Sequence, residues 1–405
     1  MSETRVRYLI VGGGAAAASA IEGIREHDPS GSIRVLSRDN HPPYQRPPLS
    51  KGLWFGNQTL NELPIHPDGF YAEKNVELLL RREAVELDAD AHRVWDERGR
   101  VHEYEDLLLA TGGRPRLLDA PGSTLEGVHY YRYLEDYLFL SGHLDRFEHA
   151  LVVGGGFIGM EMAAALRHAG KEVTILYPEE YPLRRVLPRD LGLFIADYYR
   201  QHGIEVISGE TIASIEEQGG ALVARTHSGN HADTQLLLVG VGIVPHTDLA
   251  EAAGIEVHNG IVVDEFGRTS APHVWAAGDV AEFPYLALQL RARIEHWDHA
   301  LAHGRAVGAN LAGANRPYDQ MPLFYSDLFD LGWEAVGEVD GTMVVEEAWR
   351  EPYKEGVLFY LRDEVVRGVL LWNRWGLADW ARDLIRAGKP MTVEQRAKAI
   401  PPAEG

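Results

Sequence analysis

Runs of apolar residues that end in glycine occur at two places along the chain. In the first, residues 6–12 (VRYLIVG) predict a buried parallel strand, because a short apolar run rich in β-branched residues is typical of one. A glycine turn follows at residues 12–14, then an alanine-rich helix over residues 15–25 and a second strand over residues 32–37. This order of elements predicts a βαβ unit.

The same order of elements returns in mid-chain. A strand and its turn recur as ALVVGGG at residues 150–156, a helix is predicted over residues 157–168, and the strand EVTILY occupies residues 172–177. Two such units in one chain predict two nucleotide sites, because ligands bind at the carboxyl ends of the strands in this architecture.

The remaining apolar pattern predicts two more strand ends and a different class of structure towards the C-terminus. Apolar strands within residues 106–116 and 273–280 end in Thr-Gly-Gly and Gly-Asp. From about residue 316 aromatic and β-branched segments dominate, and a short amphipathic helix follows near residues 376–387. We therefore predict an α/β protein with two Rossmann-like dinucleotide-binding domains and a C-terminal α+β domain.

Composition narrows the chemistry. The 405 residues include no cysteine, which excludes a redox-active dithiol, disulfide reductase activity and iron–sulfur ligation. The formal net charge of -21 opposes attraction to nucleic acid and to anionic membranes. The sequence begins without a basic leader, and no stretch reaches the roughly 20 apolar residues of a membrane span. We expect a cytoplasmic protein with a bound redox cofactor and with no nucleic-acid or membrane partner.

The first glycine turn has the pattern of a dinucleotide site. Gly12, Gly14 and Ala17 match G-x-G-x-x-G/A directly after a strand, and the helix begins at Ala15. Glycine permits the tight turn and lets backbone N–H groups approach a pyrophosphate, while the helix N-terminus favours its negative charge. The turn therefore predicts a bound pyrophosphate.

The second glycine turn completes the pattern with three glycines. Gly154, Gly156 and Gly159 stand between a strand and a helix, and two ordered matches are far more specific than one. Glu179 lies roughly 20 residues beyond the last glycine, where a carboxylate binds the adenosine ribose diol and repels a 2′-phosphate. This predicts NADH rather than NADPH, although Arg185 is a nearby cation suited to the extra phosphate.

One loop makes a family resemblance specific. Residues 41–56 (HPPYQRPPLSKGLWFG) resemble the loop that wraps the flavin in the family of apoptosis-inducing factor and the ferredoxin reductases, and the resemblance extends over essentially the whole chain. It implies FAD at the first turn and NAD(H) at the second, in a glutathione-reductase-like, three-layer fold. It also implies that Arg46 neutralises an FAD phosphate and that Lys51 reaches the flavin N5 region. The predicted domains are FAD-binding (1–122 and 254–317), NAD(H)-binding (123–253) and C-terminal (318–405).

The resemblance places further residues at each cofactor. Its other FAD contacts are Ala15, Thr111, Gly112, Arg132, Asp279, Glu295, His296, Trp297, Phe324 and Tyr325. Arg132 either contacts FAD or is a surface helix cation. Its NAD(H) contacts beyond the glycines are Phe157, Ile158, Glu161 and Gly242. One position departs from the family pattern: at the end of the second strand, where an acidic residue usually binds the adenosine ribose, stands Arg38, followed by Asp39. Arg38 either stacks on the adenine while Asp39 takes the ribose hydroxyls, or is a surface cation.

Four residues are predicted to act at the reacting ends of the cofactors. By the resemblance, Phe157 covers the flavin until nicotinamide displaces it, and Glu161 pairs with Lys51 to orient nicotinamide against N5. His296 lies in EHWDHA, at the beginning of a predicted helix whose N-terminus favours the charge that develops on the flavin N1–O2 edge. His299 is close by, but no ligand outside this segment is evident, so we expect no metal site.

The C-terminal segment favours one branch of the family. EHWDHA combines features of both branches, whereas residues 356–373 (GVLFYLRDEVVRGVLLWN) are similar to apoptosis-inducing factor. The tetrapeptide FYSD at residues 324–327 matches the family's F-W-S-D, with Tyr325 in place of a stacking Trp.

The sequence therefore predicts an FAD-dependent NADH oxidoreductase that resembles apoptosis-inducing factor and forms a long-lived charge-transfer complex. Its electron acceptor is not named by any motif, and quinone, oxygen or a small redox protein all fit. One alternative is an NADH-dependent ferredoxin or rubredoxin reductase. Another, of a different class, is an NADH-sensing binding protein gated by its redox state. A monomer or homodimer is expected.

Overall fold

The computed structural model describes residues 5–402, and its elements are as follows. The strands are β1 (Arg5–Val11), β2 (Ile33–Ser37), β3 (Val76–Leu80), β4 (Ala84–Asp88), β5 (Arg93–Asp96), β6 (Val101–Leu109), β7 (Gly113–Pro115), β8 (Val128–Tyr130), β9 (His149–Val153), β10 (Glu172–Tyr177), β11 (Ile204–Ser208), β12 (Ile212–Gln218), β13 (Ala221–Thr226), β14 (His231–Thr234), β15 (Leu236–Val239), β16 (Ile243–Pro245), β17 (Ile261–Val262), β18 (Val274–Ala276), β19 (Ala281–Tyr285), β20 (Leu290–Ala292), β21 (Leu323–Leu328), β22 (Leu331–Gly337), β23 (Val344–Glu351), β24 (Glu355–Arg362) and β25 (Val365–Trp372). The helices are α1 (Ala15–His27), α2 (Phe70–Glu73), α3 (Leu134–Gly142), α4 (Phe157–His168), α5 (Arg189–Gln201), α6 (Asp248–Ala252), α7 (Trp297–Leu311), α8 (Ala378–Ala387) and α9 (Val393–Ala399). Within residues 5–402 no helix is long and apolar enough to cross a membrane.

The chain forms two compact units. The first comprises residues 5–45, 61–114 and 244–322, and the second comprises residues 46–60, 115–243 and 323–402. Residues 46–60, which contain most of the predicted flavin loop, thus belong to the second unit. The three domains predicted from the sequence stay a prediction.

A mainly parallel sheet organises the first unit. Its strands follow the order β3-β2-β1-β6-β5-β4, and β18 also pairs with β6. β1 lies between β2 and β6 and is parallel to both. It is buried continuously from Tyr8 to Val11, as expected of a parallel strand with both faces covered. The buried strand predicted from the first apolar run is therefore confirmed.

Small residues bring α1 and α7 together in the first unit. A Cβ on Gly304 of α7 would overlap the backbone of Ala16 in α1, and one on Gly308 would overlap Ala20. Because residue numbers rise together along this contact, the helices run parallel and their N-termini lie at the same edge. Gly278 lies there too, since its Cβ would come within 2.7 Å of the Ala16 Cβ. One edge of this unit therefore gathers two helix N-termini and a glycine turn.

A second parallel sheet organises the dinucleotide half of the second unit. Its strands follow the order β11-β10-β9-β15-β8, and every neighbouring pair is parallel. The antiparallel strands β12, β13 and β14 share a hydrophobic core with β9, β10 and β15. The helix predicted over residues 157–168 and the strand predicted over residues 172–177 are α4 and β10, confirmed at both ends.

The C-terminal part of the second unit is an antiparallel sheet with helices. Its order is β21-β22-β25-β24-β23, and α8 packs against β22 and β25. Trp333 and Trp372 stack in its core with ring centroids 5.2 Å apart and planes 8° from parallel. The predicted class, two Rossmann-like units and a C-terminal α+β domain, is confirmed.

Candidate functional site

The first glycine of each turn is required by the backbone. Gly12 has a φ of 131° and Gly154 a φ of 125°, values that side chains rarely adopt. A Cβ on Gly12 would also overlap the carbonyl of Ala110, and a Cβ on Gly154 would overlap that of Gly240. In each sheet the turn therefore passes close to the end of the neighbouring strand.

At the second glycine of each turn, neither the backbone angles nor any contact with the described residues requires glycine. Gly14 and Gly156 have φ values of -100° and -87°, which any residue adopts, and a Cβ on either would meet no described atom within 4 Å. Each is an N-cap without a side-chain hydrogen bond, and the first turns of α1 and α4 carry no acidic residue. Open space beside a helix N-terminus that no side chain neutralises fits a pyrophosphate. The two turns therefore fit FAD and NAD(H).

The third position of the pattern packs the helix onto the turn. A Cβ on Gly159 would overlap the carbonyl of Gly154, so this helix approaches its turn as closely as glycine allows. The first unit has Ala17 at the same position, and its methyl group is fully buried.

Asp39 and Arg38, directly after the end of β2, have different surroundings. Arg38 is exposed, with its Nη1 4.0 Å from the Oε1 of Glu83. Asp39 accepts hydrogen bonds from the hydroxyl of Tyr44 at 3.2 Å and from the backbone N–H of His41 at 3.1 Å. The fixed carboxylate favours Asp39 as the ribose ligand, and stacking of Arg38 on adenine stays a prediction.

Two predicted FAD contacts of the first unit follow strand ends. Thr111 donates its hydroxyl to the carbonyl of His246 at 2.8 Å, and Gly112 beside it has a φ of 61°. Asp279 lies in the short 3₁₀ turn Gly278–Val280 and is partly buried. Its carbonyl accepts from Arg293 at 3.2 Å. Both segments are thus held by contacts within the unit.

The helix of the EHWDHA segment begins later than predicted. Glu295 was expected to be helical, but α7 begins at Trp297. The extended backbone of His296 places it at the N-cap, where its carbonyl accepts the N–H of Ala300 at 2.9 Å. Glu295 instead forms an ion pair with Arg293 at 2.5 Å in the preceding segment.

The histidines near this N-terminus are uncharged at neutral pH. Burial lowers the pKa of His296 to about 4, against a partial opposing effect of Asp279, and lowers that of His303 to about 3. Burial also lowers the pKa of His299 well below its usual value. Positive potential at this edge therefore comes from the helix N-terminus rather than from an imidazolium. Within residues 5–402 no group of three or more His, Asp or Glu side chains is arranged to hold a metal.

The predicted NAD(H) contacts are open to solvent beyond the second turn. Glu179 lies two residues after the end of β10 and is partly buried. Arg185 and Ile158 are exposed, and Gly242 is an exposed glycine with a φ of 96°.

Lys51 and Glu161 form a buried ion pair in the second unit, with side chains 15% and 4% exposed. Lys51 caps the end of the 3₁₀ turn Pro47–Ser50, and Glu161 lies one turn into α4. The Glu161 carboxylate also accepts the hydroxyl of Ser50 at 2.6 Å and that of Ser326 at 2.7 Å. Three donors thus compensate the desolvation of this carboxylate and fix its orientation.

One aromatic ring, that of Tyr325, lies beside the pair, and Phe157 lies one helical turn before Glu161 in α4. The Tyr325 ring centroid lies 5.5 Å from Lys51 Nζ, and burial raises the pKa of Tyr325 to about 12, so that its phenol stays protonated. The Phe157 ring lies 5.9 Å from that of Phe324 and 6.4 Å from that of Trp333, measured between centroids. The structure therefore brings together four predicted residues, Lys51, Glu161, Phe157 and Tyr325.

Of the two predicted FAD arginines of the second unit, Arg46 lies against the ring of Tyr133, and Arg132 directly precedes Tyr133 in the chain. The guanidinium of Arg46 lies 5.4 Å from the Tyr133 ring centroid. The backbone N–H groups of Arg132 and Tyr133 both donate to Asp136, at 2.8 and 2.6 Å. Burial raises the pKa of Asp136, although these bonds and Arg46 oppose the rise.

Ser50 and Ser326 were not among the predicted site residues. Ser50 lies in the RPPLSK motif next to Lys51, but serine is common in loops and gave no separate signal. Ser326 lies between Phe324 and Leu328 on the buried face of β21. A serine among apolar residues on one face of a strand is the signal that could have singled it out.

Two dinucleotide turns, each at the end of a central parallel strand, define the fold of a flavin- and pyridine nucleotide-dependent oxidoreductase. Residues 6–304 match the family model described as pyridine nucleotide-disulphide oxidoreductase, and residues 342–387 match the C-terminal model of apoptosis-inducing factor. The chain belongs to the pyridine nucleotide-disulphide oxidoreductase family, in the branch of apoptosis-inducing factor and the ferredoxin reductases. It is an FAD-dependent NADH oxidoreductase.

Individual relatives cover nearly the whole chain. Rhodocoxin reductase of Rhodococcus erythropolis is 32% identical over 96% of this chain and 91% of its own length. Mitochondrial apoptosis-inducing factor 1 of Dictyostelium discoideum is 31% identical over 96% of this chain and 79% of its own. The crystal structure of the ferredoxin reductase for the CYP199A2 system of Rhodopseudomonas palustris superimposes with a TM-score of 0.91 at 31% identity, covering 96% of this chain and 97% of that one. The predicted family is confirmed.

Proposed function

We propose that the chain takes hydride from NADH onto FAD and passes the electrons on in the manner of apoptosis-inducing factor. The observation that carries this proposal is the buried Lys51–Glu161 pair beside Tyr325. FAD, when bound, supplies the hydride acceptor at N5 and the ability to pass electrons on. The protein binds the two cofactors, orients them and excludes water.

Lys51 is the group that orients nicotinamide. Its ammonium has three N–H donors, so the ion pair with Glu161 leaves donors for a ligand. Because the side chain is largely buried, the ammonium has little freedom to move. A fixed donor restricts the positions that a bound nicotinamide can take, and hydride transfer depends steeply on the donor–acceptor distance. Glu161 acts through Lys51 by fixing its ammonium.

Phe157 is the ring that nicotinamide displaces. It is the first residue of α4, directly after the open glycine position, and it is only partly buried. Its ring is edge-on to that of Phe324 and tilted by 43° to that of Trp333, with long centroid distances in both pairs. Aromatic pairs contribute about 0.5–1.5 kcal/mol each, a cost of displacement that ligand binding can offset.

At the N-terminus of α7, the backbone dipole favours negative charge on the reduced flavin. His296 is the N-cap and is neutral at pH 7, so it acts as a hydrogen-bonding group rather than a cation. Asp39, Thr111 and Asp279 are further proposed FAD contacts in the first unit.

Two candidate functions differ in the electron acceptor that they use. Similarity to rhodocoxin reductase and to a ferredoxin reductase favours a small redox protein as acceptor, and this is the second candidate. The C-terminal match to apoptosis-inducing factor favours the first candidate, for which the family resemblance predicts a long-lived charge-transfer complex. The net charge of -21 disfavours an acidic carrier without a basic patch to receive it.

The proposal predicts that NADH bleaches the flavin of the purified holoprotein in a single rapid phase under anaerobic mixing. A long-lived, long-wavelength absorbance with slow steady-state turnover would support the first candidate. Turnover raised more than about tenfold by a ferredoxin or rubredoxin, but not by quinone or oxygen, would support the second. Absence of bleaching by NADH would contradict both.

Cofactor preference provides a separate prediction. We expect Glu179→Ala to lower the ratio of kcat/KM for NADH over NADPH by about tenfold, because the ribose diol loses a charged acceptor and a 2′-phosphate loses a repelling charge. Glu180→Ala is the matched control, since the neighbouring carboxylate is exposed and paired with Arg189. An unchanged ratio in Glu179→Ala, or an equal fall in the control, would show that Glu179 does not select the nucleotide.

A further inference from the structure

The hydroxyls of Ser50 and Ser326 converge on the two oxygens of one carboxylate. Ser50 donates to Glu161 Oε2, while Ser326 and Lys51 both donate to Oε1. The serines are 3% and 0% exposed, and Glu161 is 3% exposed. Three separate segments thus meet here: the turn before Lys51, which carries Ser50; helix α4, which carries Glu161; and strand β21, which carries Ser326.

A serine at position 326 lowers the stability of the fold unless its hydroxyl forms a hydrogen bond. β21 alternates buried and exposed residues, and the other buried residues of this strand are Phe324 and Leu328. A buried hydroxyl without a partner destabilises a protein, and an alanine would fit the same apolar face at no such cost. Ser326 donates its hydroxyl to the carboxylate of Glu161, which lies 165 residues away in the sequence.

Strand pairing and buried packing hold the strand that carries Ser326 at this point. Ser326 pairs across the sheet with Trp333, which is fully buried and stacked on Trp372. The hydroxyl therefore reaches Glu161 from a fixed backbone. A carboxylate held from two sides by hydroxyls cannot rotate to follow the flexible side chain of Lys51, so the lysine must follow the carboxylate.

We propose that Ser326, assisted by Ser50, is a positioning residue for hydride transfer: it locks the Glu161 carboxylate so that Lys51 Nζ is held in one place. This rests on the proposed role of Lys51 and Glu161. Through Ser326 the C-terminal sheet sets the geometry of the nicotinamide site without touching the nicotinamide.

The test compares Ser326→Ala with Ser326→Thr, which keeps the hydroxyl, in the holoprotein. Rapid anaerobic mixing with increasing NADH gives the limiting rate of flavin bleaching and the Kd of NADH separately. We expect Ser326→Ala to lower the limiting rate about tenfold with a Kd within about twofold, and Ser326→Thr to restore most of the rate. The double variant Ser50→Ala/Ser326→Ala should approach the rate of Lys51→Met.

Denaturant unfolding gives a readout that does not depend on activity. The cycle of Ser326→Ala, Glu161→Ala and the double variant should be non-additive, because each single variant removes the one hydrogen bond that the two side chains share. Thr234→Val is the control: it removes a fully buried hydroxyl, bonded to the Leu236 carbonyl at 2.7 Å, far along the chain from the pair. This control should lose stability and keep the limiting rate.

The outcomes separate the two levels of the proposal. If the wild type is not bleached by NADH, the proposed function fails. If the wild type is bleached and Ser326→Ala retains the wild-type limiting rate, or loses it no more than Thr234→Val does, Ser326 is only a structural contact and the positioning role is overturned.

Discussion

Replacing Lys51 by Met is expected to slow the bleaching of bound flavin by NADH about 100-fold, because loss of the fixed donor lets nicotinamide bind away from the reacting geometry. Met keeps the length and apolar stem of the side chain, so packing against Tyr325 is largely retained. The measurement is the limiting rate in rapid anaerobic mixing, with the flavin content of each preparation determined from its absorbance spectrum.

The same replacement also destabilises the protein, and a double variant separates the two effects. Lys51→Met leaves Glu161 as a buried carboxylate without its cation, which typically costs about 3 kcal/mol of unfolding free energy. Lys51→Met/Glu161→Gln removes both charges while the amide can still bond the two serines. We expect this double variant to regain part of the lost stability but none of the lost rate.

Two results would contradict this assignment. If the double variant regained the rate together with the stability, the slow reduction would be a consequence of a loosened fold rather than of the missing donor. If Lys51→Met were reduced at the wild-type rate, Lys51 would have no part in orienting nicotinamide.

Features that depend on neighbouring residues could be predicted from the sequence. α4 and β10 are short apolar elements bounded by glycine turns, and the glycine pattern itself requires a strand before it and a helix after it. The predicted helix start at Glu295 was wrong because the Glu295 side chain pairs with Arg293 before the helix and the backbone of His296 is extended, as at an N-cap.

The surroundings of Glu161 could not be predicted in the same way. Its pairing with Lys51 follows from a family resemblance, whereas its bonds to Ser50 and Ser326 join residues 111 and 165 positions away. No periodicity connects such distant residues, and a serine in a strand has several other uses. Only the folded chain shows that one carboxylate binds all three donors.

The second large effect is expected from the open glycines, and it should differ between the two turns. Gly14→Val is expected to weaken FAD binding on the order of 100-fold, equivalent to about 3 kcal/mol, so that the protein purifies without its yellow colour. Gly156→Val is expected to purify with FAD bound but to need on the order of 100-fold more NADH for the same bleaching rate. In both, the side chain would occupy the space that a pyrophosphate needs.

The two variants control each other because their backbones are alike. Both glycines have negative φ values, and a Cβ added to either would have no described atom within 4 Å, so valine should cost little folding stability at either position. By contrast, Gly12→Val would meet the Ala110 carbonyl and a φ of 131°, and should unfold the unit rather than empty a site. Equal loss of FAD from Gly14→Val and Gly156→Val would contradict the assignment of one nucleotide to each turn. Unimpaired binding of both cofactors would show that the open space beside the helix N-termini is not where the pyrophosphates lie.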